Sequence, residues 1–90
     1  MTWKQAVVNF CRRADRLGGF ATHTMIETGV CTFPAWRQIT RTLKASGVLD
    51  GNRQRVRWAR GWSTERLERA LNEQGLALNY PGQTAPEIRA

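Results

Sequence analysis

Histidine occurs once and cysteine twice in these 90 residues. His23 has no ligand-spaced partner, and Cys11 and Cys31 lie far apart in the chain. Neither a zinc site nor a disulfide framework is expected, and no cofactor is implied. The two thiols read as small buried side chains, and His23 as a cap or surface residue. Acidic residues are scarce too, seven against fourteen Lys and Arg. Glu65, Glu68 and Glu73 share what reads as a solvated helix face, so they form no acid–base pair. With no nucleophile–base constellation, neither an enzyme nor a small-molecule ligand is expected. No apolar run approaches the roughly 18–20 residues that span a bilayer. No long apolar stretch follows Lys4, so no secretory signal is expected and the expected location is cytoplasmic. The hydrophobic share, 41%, is enough for one small core and leaves no room for an interdomain cleft.

What the chain does have is positive charge, +7 in all. It is unevenly placed. Residues 33–62 hold Arg37, Arg41, Lys44, Arg53, Arg55, Arg57 and Arg60 against Asp50 alone, a net +6. The rest of the chain is close to balanced. Six of those seven cations are arginine, whose planar fork suits phosphates and guanine edges. Such a confined excess points to a nucleic acid.

Apolar periodicity divides the chain. Trp3, Ala6, Val7, Phe10, Ala14 and Leu17 recur at three- and four-residue steps, which predicts an amphipathic helix stopped by Gly18-Gly19. Phe20-Ala21 reads as extended. A short helix follows, capped by Thr22 or Thr24, with Glu27 at capping-box spacing from Thr24. Gly29 ends it. Thr32 then caps a helix from about Phe33 to Ser46, with Pro34 in its first turn. Ala35, Trp36, Ile39 and Leu43 form its inner face, with Ala45 as a further candidate, leaving Arg37, Gln38, Thr40, Arg41 and Lys44 outward. After Gly47, Val48-Leu49 starts a strand, and Asp50-Gly51-Asn52 signals a tight hairpin. In the returning strand 53–58, Val56 and Trp58 face one side and Arg53, Arg55 and Arg57 the other. Ser63 or Thr64 caps a last helix from Glu65 to about Gln74, with Leu67, Ala70 and Leu71 inside and Trp62 as a staple. Glu65–Arg69 and Arg69–Glu73 are spaced as ion pairs. Residues 79–90 read as a flexible tail, so the folded domain is 1–78. Leu76 and Leu78 suit either a dimer contact or packing on the core. The expected class is mainly α with a small β-hairpin.

The turn Gly29-Val30-Cys31-Thr32, the helix from Pro34 to Ser46, the exit Ser46-Gly47-Val48-Leu49 and the arginine-rich hairpin together resemble the winged helix-turn-helix family of DNA-binding proteins. The resemblance covers about residues 3–74. It departs at Phe33-Pro34, where small polar residues are more usual. It implies that the helix 33–46 enters the major groove and the hairpin 48–58 meets the flanking backbone or minor groove. Residue types suit those roles. Arg37 and Arg41 stand four apart on one helix face, and Gln38 suits adenine. The base-reading set is then Arg37, Gln38, Thr40 and Arg41. The backbone set is Thr32, Lys44, Arg53, Arg55, Arg57 and Arg60, the hairpin arginines being spaced about 7 Å apart along one side.

The implied function is that of a sequence-specific double-stranded DNA-binding protein acting by occupancy. A small repressor, an autoregulator or an architectural factor fits, of the kind found in phages and plasmids. Further copies of the chain are expected on the same DNA, because one helix offers few base contacts. The competing expectation is a winged helix that docks on an acidic protein partner, which an apolar patch on the last helix would favour. An RNA-binding reading needs exposed aromatics. Trp36 and Trp58 fall on the apolar phase and are expected in the core.

Overall fold

The structure is a computed structural model, and it describes residues 1–52 and 55–90. It is mainly helical with one small antiparallel hairpin, in the order α1 (Trp3–Leu17), α2 (Thr22–Glu27), α3 (Phe33–Ala45), β1 (Leu49–Asp50), β2 (Arg57–Trp58) and α4 (Thr64–Asn72). Among the described residues, no helix is long and apolar enough to cross a membrane.

The α1 stripe buries Trp3, Ala6, Val7, Phe10, Cys11 and Ala14 against α4 and α2. Its start is a capping box. The Thr2 hydroxyl accepts from the Gln5 amide (3.1 Å), and the Thr2 amide donates to the Gln5 side chain (2.9 Å). Gly18 ends the helix at a φ of 82°, a conformation that a side chain would strain.

α2 begins without a side-chain cap, because the buried Phe20 draws the chain inward and the cap position falls on Ala21. Neither Thr22 nor Thr24 takes that role. Both lie inside the helix, and the Thr24 carbonyl instead accepts the Thr28 hydroxyl (2.7 Å). The turn closes when the Val30 amide donates to the Met25 carbonyl (2.9 Å) and Val30 itself is buried. Thr32 then caps α3 by accepting from the Ala35 amide (3.4 Å), with Pro34 in the first turn.

The hairpin is shorter than the expected strands. Among the described residues, Leu49 pairs with Trp58 and Asp50 with Arg57, with a further bond from the Ala59 amide to the Val48 carbonyl (2.9 Å). The Asn52 carbonyl and side-chain oxygen both accept from the Arg55 amide, at 3.2 Å each. In the register that pairs Asp50 with Arg57, Asn52 stands opposite Arg55, so this contact continues the line of the ladder, and Asp50, expected in the turn, is a paired strand residue. Gly51, with a φ of 100°, lets the loop curl. A methyl there would collide with the Arg55 carbonyl.

α4 is capped by Ser63, whose hydroxyl accepts from the Arg66 amide (3.2 Å). Thr64 donates its hydroxyl to Asp15 of α1. Among the described residues, neither Glu65–Arg69 nor Arg69–Glu73 forms an ion pair. The α4 carboxylate that pairs is Glu68, which reaches across to Arg12 of α1 at 2.8 Å. Both partners are substantially exposed, so the pair adds little stability.

The largest departure from expectation is at the end of the chain. Residues 79–90 are not a loose tail. Tyr80 stacks on Trp3 (centroids 5.0 Å apart, 7° between planes), and the Trp3 indole donates to the Gly82 carbonyl (2.6 Å). Ile88 is 1% exposed, and the Arg89 amide donates to the Val30 carbonyl (3.0 Å). Leu78 is buried in the same core, which settles within this chain what Leu78 packs on. A small core has few apolar side chains to spare, and the segment supplies Leu78, Tyr80 and Ile88 to it. Replacing Ile88 by Ala should therefore lower unfolding stability by about 2–5 kcal/mol in a urea titration. A mobile tail would leave the midpoint unmoved.

Candidate nucleic-acid interface

The core face of α3 decides which of its side chains reach solvent. Ala35, Trp36, Ile39 and Leu43 point inward, and the Trp36 indole N–H donates to the Phe20 carbonyl (2.9 Å) in a buried contact. That leaves Arg37, Gln38 and Arg41 exposed, with Lys44 half-buried beside them. Thr40, expected to read bases, is 2% exposed. It sits four residues after Trp36 and three before Leu43, on the core stripe. Its hydroxyl is satisfied by donating to the Arg37 carbonyl (3.2 Å), which lets a threonine be buried inside a helix. Thr40 lines the groove beside Arg37 and Arg41 but offers almost no accessible surface of its own.

Two grooves flank the outer face of α3. One, about 510 Å³, lies between Arg37, Gln38 and Arg41 on one wall and Asn79 and Pro81 on the other. The second, about 200 Å³, is bordered by Thr22, Trp36, Arg37, Arg41 and Lys44. A third hollow is formed by Phe20, Thr22, Trp36, Arg55 and Arg57. Thr22 and Trp36 border both of the last two. The cations of α3 and those of the hairpin thus adjoin one strip of surface.

Within the strip the charges are largely uncompensated. Among the described residues, the side chains of Arg37, Arg41, Lys44 and Arg55 make no ion pair. Arg57 has Asp50 at 3.7 Å, both exposed. Arg60 is exposed after β2 and borders none of the three hollows. Thr32 is exposed, but its hydroxyl is engaged as the α3 cap. Arg53 lies outside the described residues. By contrast, no buried side-chain polar atom among the described residues lacks a hydrogen-bond partner. The interior needs nothing further.

The aromatic residues mostly serve the core. Trp36 is buried, and half-buried Trp58 meets Phe20 edge-on (5.4 Å) and donates to Asp15 (3.4 Å). Trp62 lies under the Arg66 guanidinium, 4.1 Å from the ring centre. Phe33 is different. It is half-exposed, stacks on Trp36 (6.2 Å, 15°) and borders both grooves of α3. The sequence reading left it out of the site. Its signal was an aromatic residue in the first turn of α3, off the inner stripe. Asn79 and Pro81 were also missed, because their segment read as a tail.

His23 is exposed on α2. Among the described residues, no group of three His, Cys, Asp or Glu stands together as a metal ion would need. Comparison with family models, with curated proteins and with solved structures returned no match.

Burial pushes the Cys31 thiol up to about 11. Burial, with the charge of Asp15 second, pushes the Cys11 thiol well above the ordinary range. Both shifts favour the neutral thiol in the fold. Their stabilisation is complete below the unfolded thiol's pKa of about 8.5 and is lost as pH rises toward the folded values. Alkylation by iodoacetamide at pH 8 should run on the order of a hundredfold slower at Cys31 than at a free thiol, and slower still at Cys11. Mass spectrometry reads both. Equal rates for Cys31 and free cysteine would overturn the assignment of its environment.

Proposed function

We propose that this chain is a winged helix-turn-helix protein that binds double-stranded DNA sequence-specifically and acts by occupancy, as a small transcriptional regulator or architectural factor. In this reading α2 and α3 are the helix-turn-helix and the hairpin is the wing. The observation that carries it is the strip on which Arg37, Gln38, Arg41 and Lys44 of α3 adjoin Arg55 and Arg57 of the hairpin. A polyanion with readable base edges answers both halves of that surface. Phosphates take the hairpin arginines and Lys44, and the α3 side chains reach the groove floor.

A docking module for an acidic protein remains the alternative, and one feature disfavours it. α4 exposes Glu65, Arg66, Arg69, Asn72 and Glu73 and no large apolar side chain. It thus lacks the apolar docking face that would favour that reading. One α3 offers few base contacts, and each good pair is worth about 1–3 kcal/mol. Occupancy by two or more copies on adjoining sites supplies the missing discrimination.

Neutralising about five phosphates gives a log–log salt slope near −4 to −5. Exchanging Arg55 and Arg57 for Gln should weaken binding to all duplexes alike and flatten that slope by about 2, read by fluorescence anisotropy over a salt series. An affinity indifferent to salt would remove the electrostatic basis of the proposal.

Base readers carry a different signature. Gln38→Ala and Arg41→Ala should each cost about 1–3 kcal/mol on a preferred site selected from random duplexes, and much less on unselected DNA. Equal losses on both would move those side chains to the backbone set.

A further inference from the structure

We propose that Phe33 is a specificity-determining residue that reads the C5-methyl of a thymine in the major groove. The inference rests on the DNA-binding reading above and deepens it. Three large apolar side chains among the described residues are exposed, Met1, Ile26 and Phe33, and Phe33 alone is aromatic. It is the one set among the open cations, since it borders both grooves of α3 together with Arg37 and Arg41.

The ring is held in place. It packs nearly parallel to Trp36, which is itself buried and tied to the Phe20 carbonyl. Thr32 caps the same turn and Pro34 stiffens it. An aromatic side chain fixed in this way loses little freedom when it meets a partner. Its surroundings restrict that partner. The partner must offer an apolar group within reach of acceptors for guanidinium groups and of phosphates. A duplex major groove presents this combination where a thymine methyl lies near guanine N7 and O6.

Spacing sets the distance between the two. Phe33 and Arg37 are one helical turn apart on the outer side of α3, about 6 Å along its axis. Base pairs step by about 3.4 Å. The thymine therefore lies within about two base pairs of the guanine that Arg37 contacts.

The test uses the full chain and the duplex it selects from random DNA. Each thymidine of that duplex is replaced singly by deoxyuridine, which removes the methyl and leaves base pairing intact. One replacement should weaken binding by about fourfold, the equivalent of one buried methyl-sized group. Phe33→Ala should bind the thymine duplex more weakly by at least that factor and should no longer distinguish it from the deoxyuridine duplex. Phe33→Leu should keep part of the discrimination. Because Phe33 is half-exposed, both variants should melt close to the parent, which circular dichroism checks. If Phe33→Ala discriminates like the parent, or if no deoxyuridine position matters, the inference is overturned while DNA binding stands. If selection enriches no sequence, the DNA-binding reading itself fails, and this inference with it.

Discussion

A single buried hydrogen bond, from the Trp36 indole to the Phe20 carbonyl, sets the rotation of α3 about its own axis. In a low-dielectric interior such a bond is strong, and leaving either partner unpaired is costly. Turning α3 by one residue would break it and exchange core side chains for cations. The acceptor is itself well anchored. Phe20 stacks with Phe10 of α1 (5.8 Å) and meets Trp58 of β2 edge-on (5.4 Å). One connector residue thus holds three elements in register. Asp15 does similar work nearby, since its two oxygens accept from Trp58 and from Thr64. The hairpin and α4 are in this way tied to the same end of α1.

This arrangement separates what stabilises the fold from what is offered to a partner. The side chains that hold α3, namely Ala35, Trp36, Ile39, Thr40 and Leu43, are buried, and those of the proposed DNA-facing strip are not. A local excess of positive charge repels itself, but exposed charges are screened by salt and water. The exposed pairs Arg12–Glu68 and Arg57–Asp50 carry little of the stability. The core carries it, and the strip is left with unspent electrostatic attraction toward an anion.

Helices with a strong apolar stripe were legible in the sequence to within a residue or two. α1, α3 and α4 each combine a three- and four-residue apolar period with a stop or cap nearby. Elements defined by tertiary contacts were not. The Asp50-Gly51-Asn52 signal places the turn too early, since Asp50 still pairs with Arg57 and Asn52 stands opposite Arg55, and local propensity does not reveal that shift in register. Residues 79–90 are rich in proline and polar side chains, so they read as loose. Their order comes from contacts with Trp3 and Val30, far away in the chain. Thr40 was misplaced for a different reason. Its residue type suggested solvent, while its phase between Trp36 and Leu43 pointed to the core, and phase prevailed.

The contact between Trp3 and Gly82 has a consequence for the order of events during synthesis. The first helix emerges from the ribosome with its apolar stripe complete, but its partners on α4 and the Tyr80–Gly82 segment are made much later than its partner α2. At about 5–20 residues per second, roughly 4 to 16 s separate the making of Trp3 from that of Gly82. During that interval Trp3 lacks the ring of Tyr80 and the carbonyl of Gly82. Final closure of this core therefore waits for residue 82, and a nascent chain stalled before it would present a sticky, tryptophan-bearing helix to whatever lies near the tunnel exit.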